Sequence, residues 1–205
     1  MRLTICGAHG VGKTTLAKAL SERLGLPLIP EVARDLQAEG FPILSETDLP
    51  TLETQFAIFG KMLYLEQLYA RRGGFVSDRS LLDNVAYFRL VESADWVWDP
   101  LVSFAREYAK HSYDLIVYVP IEFDLKGDGV RSTDREIQRF IDGVIRVLLL
   151  GIPHLVVSGS VEERVSKVLR KVGGRDGVDH NDTHFLPRFD RRPIQLSFID
   201  FPPKT

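Results

Sequence analysis

The sequence predicts a three-layer α/β fold, in which a five-stranded parallel sheet is covered by helices on both faces. Three observations carry this. Short apolar runs alternate with stretches of helical periodicity from residue 2 to residue 172. The first apolar run passes straight into a glycine-rich loop and then a helix. The run 114–119, DLIVYV, has after its leading Asp114 the continuous apolar character of a strand buried on both faces. In such a fold ligands lie beyond the carboxyl ends of the strands, so the loops at those ends are the places to look for chemistry.

Taken in order, residues 2–6 form the first strand, and 13–24 a helix with Leu16, Ala17, Leu20 and Leu24 on one side, ended by Gly25. Residues 27–30 make a second strand, and 31–39 a short helix closed by Gly40. After a loop through Pro42 and Ser45, Asp48 or Thr47 caps a long helix reaching about Arg72. Its stripe is Leu52, Phe56, Phe59, Leu63 and Leu68, and Gly73 and Gly74 stop it. Residues 75–77 are a strand and 81–91 a helix; a polar stretch with Trp96, Trp98 and Pro100 leads into a helix ending near His111, with the tryptophans packing at its start. The fourth strand, 114–119, precedes a glycine-bearing loop at 127–132, a helix at 134–150, a fifth strand at 154–157 and a last helix at 161–172.

From Gly173 the composition shifts to Gly, Asp and Pro, which marks 1–172 as one domain and 173–205 as an extended tail. Phe198, Ile199 and Phe201 can dock that tail on the body or on a second copy in a homodimer. His180, Asp182 and His184 in the tail have ligand-like side chains, but no regular element fixes them, and a polar loop gives the same letters. The lone cysteine, Cys6, falls in the first apolar run and reads as a buried thiol. A net charge of -2 and a pI near 6.2 supply no field that would draw the chain onto nucleic acid or an anionic membrane. No run is long enough to span a bilayer, and no signal segment is recognisable, so a cytoplasmic protein is expected.

The loop Gly7–Thr14, GAHGVGKT, fits G-x-x-x-x-G-K-[ST], with the strand before it and the helix after it that the motif requires. Its glycines let backbone N–H groups of Gly7, His9, Gly10, Val11, Gly12 and the residues through Thr14 and Thr15 turn toward phosphates, and the helix N-terminus adds its positive end. This is a P-loop, and the fold becomes that of the P-loop NTPases. Lys13 would reach the terminal phosphates of ATP and Thr14 would bind Mg2+. His9 is expected to contribute backbone while its side chain points to solvent. No N-K-x-D guanine-reading sequence and no second glycine loop of an AAA-type assembly occur, which favours a small-molecule kinase.

Three further stretches carry a resemblance. IPEVAR at 29–34, SDRS at 77–80 and DGVRS at 128–132, with the P-loop, resemble the nicotinamide riboside kinase-like group and the deoxynucleoside and thymidylate kinases over residues 1–172. The resemblance implies that Glu31 serves as general base or orients the acceptor, and that Asp78 binds Mg2+ with Thr14. It implies that Arg79 contacts the acceptor or the transferring phosphoryl group, and that Arg34, Gln55 and Tyr87 or Phe88 shape the acceptor pocket. Deoxynucleoside kinases have Glu where Asp78 stands, and in this the chain is nearer to thymidylate kinases. By the same resemblance Gly159 and Ser160 lie near adenine. Arg131, Arg135 and Arg139 recur every four residues and resemble an arginine-bearing lid, hinged at Gly127 and Gly129, in which Arg131 and Arg135 serve the phosphate.

The expected activity is therefore ATP- and Mg2+-dependent transfer of the γ-phosphate to a small nucleoside-like or nucleotide acceptor. Two rivals stay open: a kinase acting on a base or terminus within a nucleic acid, with Arg188, Arg191 and Arg192 as phosphate contacts, and a nucleotide-binding switch or adaptor without acceptor turnover.

Overall fold

The computed structural model describes residues 1–45, 48–91, 94–122 and 135–173. Thr47, the hinge glycines 127 and 129, Arg131 and the tail from residue 174 onward, including its histidines, lie outside the described residues.

The elements run β1 Arg2–Cys6, α1 Lys13–Leu24, β2 Leu28–Ile29, α2 Val32–Ala38, α3 Leu52–Ala70, β3 Phe75–Ser77, α4 Leu81–Phe88, α5 Asp95–Ser112, β4 Leu115–Tyr118, α6 Arg135–Leu148, β5 Leu155–Val156 and α7 Val161–Gly173. The five strands form one all-parallel sheet in the order β2-β3-β1-β4-β5. Its central strand β1 is buried from Leu3 to Cys6, as a strand covered on both faces must be. Helices α1 and α7 pack together, and α3, α4, α5 and α6 form a second group around α4. Burying each Leu or Ile of this core is worth about 1.5–3 kcal/mol relative to leaving it in water.

Register places the site. Thr4 pairs with Ser77, Cys6 with Tyr118 and Ile29 with Ser77, so Gly7, Glu31, Asp78 and Glu122 all follow strand ends on one edge of the sheet. Gly25 ends α1 in the left-handed conformation, with its N–H and that of Leu26 bonded back to Glu22 O and Ser21 O. Gly74 has φ 134°, and a Cβ there would lie 2.0 Å from Met1 O, so only glycine lets β3 start beside the N-terminus.

Three expectations need correction. The cap of α3 is Thr51, whose hydroxyl accepts from Thr54 N, while Asp48 instead bonds Ser45. The face that α3 buries is Thr54, Gln55, Ile58, Met62 and Glu66, and Phe56 of the expected stripe is exposed. This helix is apolar on most sides, so hydrophobicity alone did not orient it; buried polar partners did. Burial pushes the Glu66 carboxyl up to about 8. Tyr113 Oη donates to it, at 2.9 and 3.0 Å from its two oxygens, and accepts from Leu81 N at the start of α4. Finally, α5 begins at Asp95 and contains Pro100, with Trp96 72% exposed. Trp98 alone packs, under the guanidinium of Arg89 at 5.0 Å.

Candidate functional site

The phosphate loop is built by glycine where the chain leaves β1. Gly7 has φ 147°, and a Cβ on it would stand 2.4 Å from Val119 O, so no other residue fits between the two strand ends. Gly10 and Gly12 also have positive φ, at 76° and 88°, and Gly12 is the N-cap of α1. Lys13 Nζ donates to Gly7 O at 2.7 Å and to Ala8 O, which holds the ammonium inside the curl of the loop. Burial, and then the charge of Arg79, lowers the Lys13 ammonium to about 7. Thr14 is half-buried and Thr15 exposed on the first turn of α1.

The turn after β3 lies alongside. Thr4 Oγ1 and Ser77 Oγ both donate to Arg79 O, at 2.9 and 2.7 Å, which fixes the turn carrying Asp78 and Arg79. Asp78 is buried, and desolvation raises its carboxyl above the usual range, opposed by a hydrogen bond from Thr14 and by the charge of Lys13. Its Oδ1 has no hydrogen-bond partner among the described residues. A buried, unpaired carboxylate oxygen beside a threonine hydroxyl and the phosphate loop is a fitting pair of oxygen donors for Mg2+.

Arg79 points along the sheet edge to the end of β2. Its Nε and Nη2 meet Glu31 Oε1 at 2.7 and 2.6 Å, and Arg34 Nε meets Glu31 Oε2 at 3.1 Å. Glu31 is the N-cap residue of α2, and its carboxylate serves the two arginines rather than the helix. A cleft opens here, lined by His9, Glu31, Arg34, Gln55, Arg79, Asn84 and Tyr87 with Ala33, Ile43, Leu44 and Ile58. Asn84 Nδ2 donates to Gln55 Oε1 at 2.8 Å, while Asn84 Oδ1 and Arg79 Nη1 are buried without a hydrogen-bond partner among the described residues.

The structure thus brings together Lys13, Thr14, Glu31, Arg34, Gln55, Asp78 and Arg79. Gln55 is 3% exposed and faces the cleft. Tyr87 lines it too, whereas Phe88 packs away from it against Phe56. His9 requires correction: its side chain is 2% exposed, with Nδ1 3.0 Å from Tyr87 Oη, because the loop lies over the buried face of α4 and not over solvent. Arg135 and Arg139 are exposed on α6, whose buried face presents Gln138 instead; Gln138 Nε2 donates to His9 O at 2.7 Å.

Four residues escape sequence reasoning. Asp83 accepts from Gly7 N at 2.9 Å and from Ser80 N at 2.9 Å, so the capping box of α4 also holds the first glycine of the loop. The Ser80-x-x-Asp83 spacing was the available signal. Asn84 and Gln138 are ordinary polar letters on helices, and Arg164 of α7 sits far along the chain from the Val11 carbonyl that it binds at 2.9 Å. Gly159 and Ser160 stand beside Arg164 and Glu122, with Gly159 N donating to Glu122 Oε2 at 2.8 Å.

A family model described as an AAA domain matches residues 2–164. No curated protein matches the chain. Among solved structures, a deoxyadenosine kinase from M. mycoides is 14% identical, with 85% of this chain and 100% of that one covered at a TM-score of 0.61. Thymidylate kinase from Candida albicans is 15% identical, over 85% and 91%, also at 0.61. The NadR protein in complex with NR is 18% identical, over 86% of this chain and 51% of that one, at 0.63. At these identities the likeness is one of fold, the P-loop NTPase α/β fold, and it extends to the length of the first two proteins.

Proposed function

The chain belongs to the AAA domain family, and on that premise we propose that it is an ATP- and Mg2+-dependent phosphotransferase whose acceptor is a small nucleoside-like molecule or nucleotide. The observation that carries this reading is the Glu31–Arg79 pair, 2.6 Å apart, facing a cleft that begins at the phosphate loop. A switch that only binds nucleotide needs no carboxylate and guanidinium at that place.

Roles follow from chemistry. Backbone N–H groups of the loop and Lys13 bind the phosphates of ATP, and Thr14 and Asp78 would hold Mg2+, which would supply charge neutralisation at the phosphates. Glu31 orients the acceptor and, where that is a hydroxyl, takes its proton as the acceptor oxygen bonds to the γ-phosphorus; an ionised phosphate acceptor attacks with no proton to lose. The bond from that phosphorus to the bridging oxygen breaks, and ADP leaves. Arg79, half-buried with Nε and Nη2 on Glu31, has Nη1 left to donate to an oxygen of the transferring phosphoryl group. Gln55, Asn84, Tyr87 and the apolar wall at Ile43, Leu44 and Ile58 select the acceptor. A panel of ribonucleosides, deoxynucleosides, their monophosphates, nicotinamide riboside and oligonucleotides is incubated with Mg2+ and γ-labelled ATP. Label is expected on one small-molecule class, with Glu31→Gln lowering kcat about 10²–10⁴-fold. ATP binding without label on any acceptor would overturn the transferase reading in favour of a switch, and label on oligonucleotides alone would overturn the small-molecule acceptor.

A further inference from the structure

We propose that Arg164 is a positioning residue of the phosphate loop, fixing the Val11–Gly12 peptide from α7 and tying it to the two turns at Glu122 and Gly159. The inference rests on the reading that residues 7–14 bind nucleotide phosphates.

Arg164 is 4% exposed. An arginine is rarely buried so far unless its charge is answered, and here two chain segments answer it directly, while a third is joined through the carboxylate it meets. Nη1 donates to Val11 O in the phosphate loop at 2.9 Å. Nη2 meets Glu122 Oε2 at 3.2 Å, just after the β4 end. The same carboxylate oxygen accepts from Gly159 N at 2.8 Å, in the turn between β5 and α7. Gly159 has φ 88°, a backbone conformation that residues with a side chain rarely adopt, so the turn's geometry depends on glycine.

The contact to Val11 O constrains more than one oxygen. A trans peptide is planar, with its C=O and N–H pointing in opposite directions. With the Val11 carbonyl drawn toward Arg164, the N–H of Gly12 in the same peptide must point away from it. Gly12 is the N-cap of α1, where orphan N–H groups are the ones that bind an anion. Arg164 thus presets a phosphate donor without facing the phosphate. The planar fork is also specific, because two nitrogens serve two different acceptors, which a lysine ammonium on a flexible stem cannot reproduce in full.

Binding of ATP and of adenosine to the full-length protein, measured by calorimetry together with the melting midpoint, tests this. Arg164→Ala is expected to weaken ATP about tenfold or more, about 1.4 kcal/mol, while adenosine affinity stays within about twofold. Arg164→Lys should recover part of the loss. If Arg164→Ala does not fold, Arg164→Lys carries the test, with a loss of about threefold or more for ATP alone. Wild-type affinity for ATP in the folded variants, or a parallel loss for adenosine and ATP, overturns the inference. Failure of the wild-type protein to bind ATP overturns instead the reading of the loop on which it stands.

Discussion

Lys13 shows how far a single side chain is governed by its surroundings. Burial and the neighbouring Arg79 charge bring its ammonium down to about 7 from the ordinary 10.5. The folded chain therefore holds fewer protons than the unfolded one between these values, and Lys13 makes stability rise with pH across that window and fall as pH drops through 7. Phosphates entering the loop reverse this, since a polyanion beside an amine favours its charged form. At pH 8.5, where the nucleotide carries no proton of its own, ATP binding should take up close to one proton, seen as a dependence of the binding heat on buffer ionisation enthalpy. Below about pH 6 the uptake should vanish, and Lys13→Met should abolish it; equal heats in all buffers at pH 8.5 would refute the assignment. Lys13, Gly7 and Gly12 were legible in the sequence because the loop's chemistry is local, confined to eight consecutive residues. The His9 side chain was not, because its direction is set by Tyr87, 78 positions away.

Among the elements, α4 carries the most. All eight of its residues are buried, among them Asp83, Asn84 and Tyr87, so it reaches both the phosphate loop and the acceptor cleft. Tyr113 and Glu66 anchor its first turn from behind. Asp83 accepts at both oxygens, one from Gly7 N and the other from Ser80 N and the Ser80 hydroxyl. In Asp83→Asn the amide NH2 must face one of these N–H donors, leaving two buried donors opposed at a cost of about 1–3 kcal/mol. A chain of this size should lose roughly 2–4 °C of melting midpoint per kcal/mol, and ATP affinity should fall because Gly7 is no longer held. Ser80→Ala makes the contrast: it removes the cap, worth about 1 kcal/mol, while leaving the bond to Gly7. Equal ATP affinity in the two variants would show that the Gly7 contact has no bearing on the loop. Sequence periodicity finds such a helix but not its orientation. For α3, apolar on most sides, the buried polar residues Gln55 and Glu66 were decisive, and no stripe of leucines revealed them.

At the scale of the molecule, the alternation of strand and helix made the parallel sheet legible, whereas its order was not, since any of the strands could in principle neighbour β1. Nor was the closing role of α7, which brings Arg164 to the loop and places Val165 and Val168 in the core with Leu169 and Val172 packed against it. The domain boundary expected after residue 172 is open to a direct test. Among the described residues the main core cluster is drawn from β1 through α7, and α7 ends at Gly173. A chain cut after Gly173 should then unfold in one cooperative transition within about 2 °C of the full-length midpoint, since the core side chains that set the transition are retained. Its ATP affinity should match as well, because loop, Asp78 and Arg164 all precede the cut. Calorimetric melting and ATP titration of both forms decide the matter. A lower midpoint would place residues 174–205 in the folded domain, and an unchanged midpoint with weakened ATP binding would place them at the nucleotide.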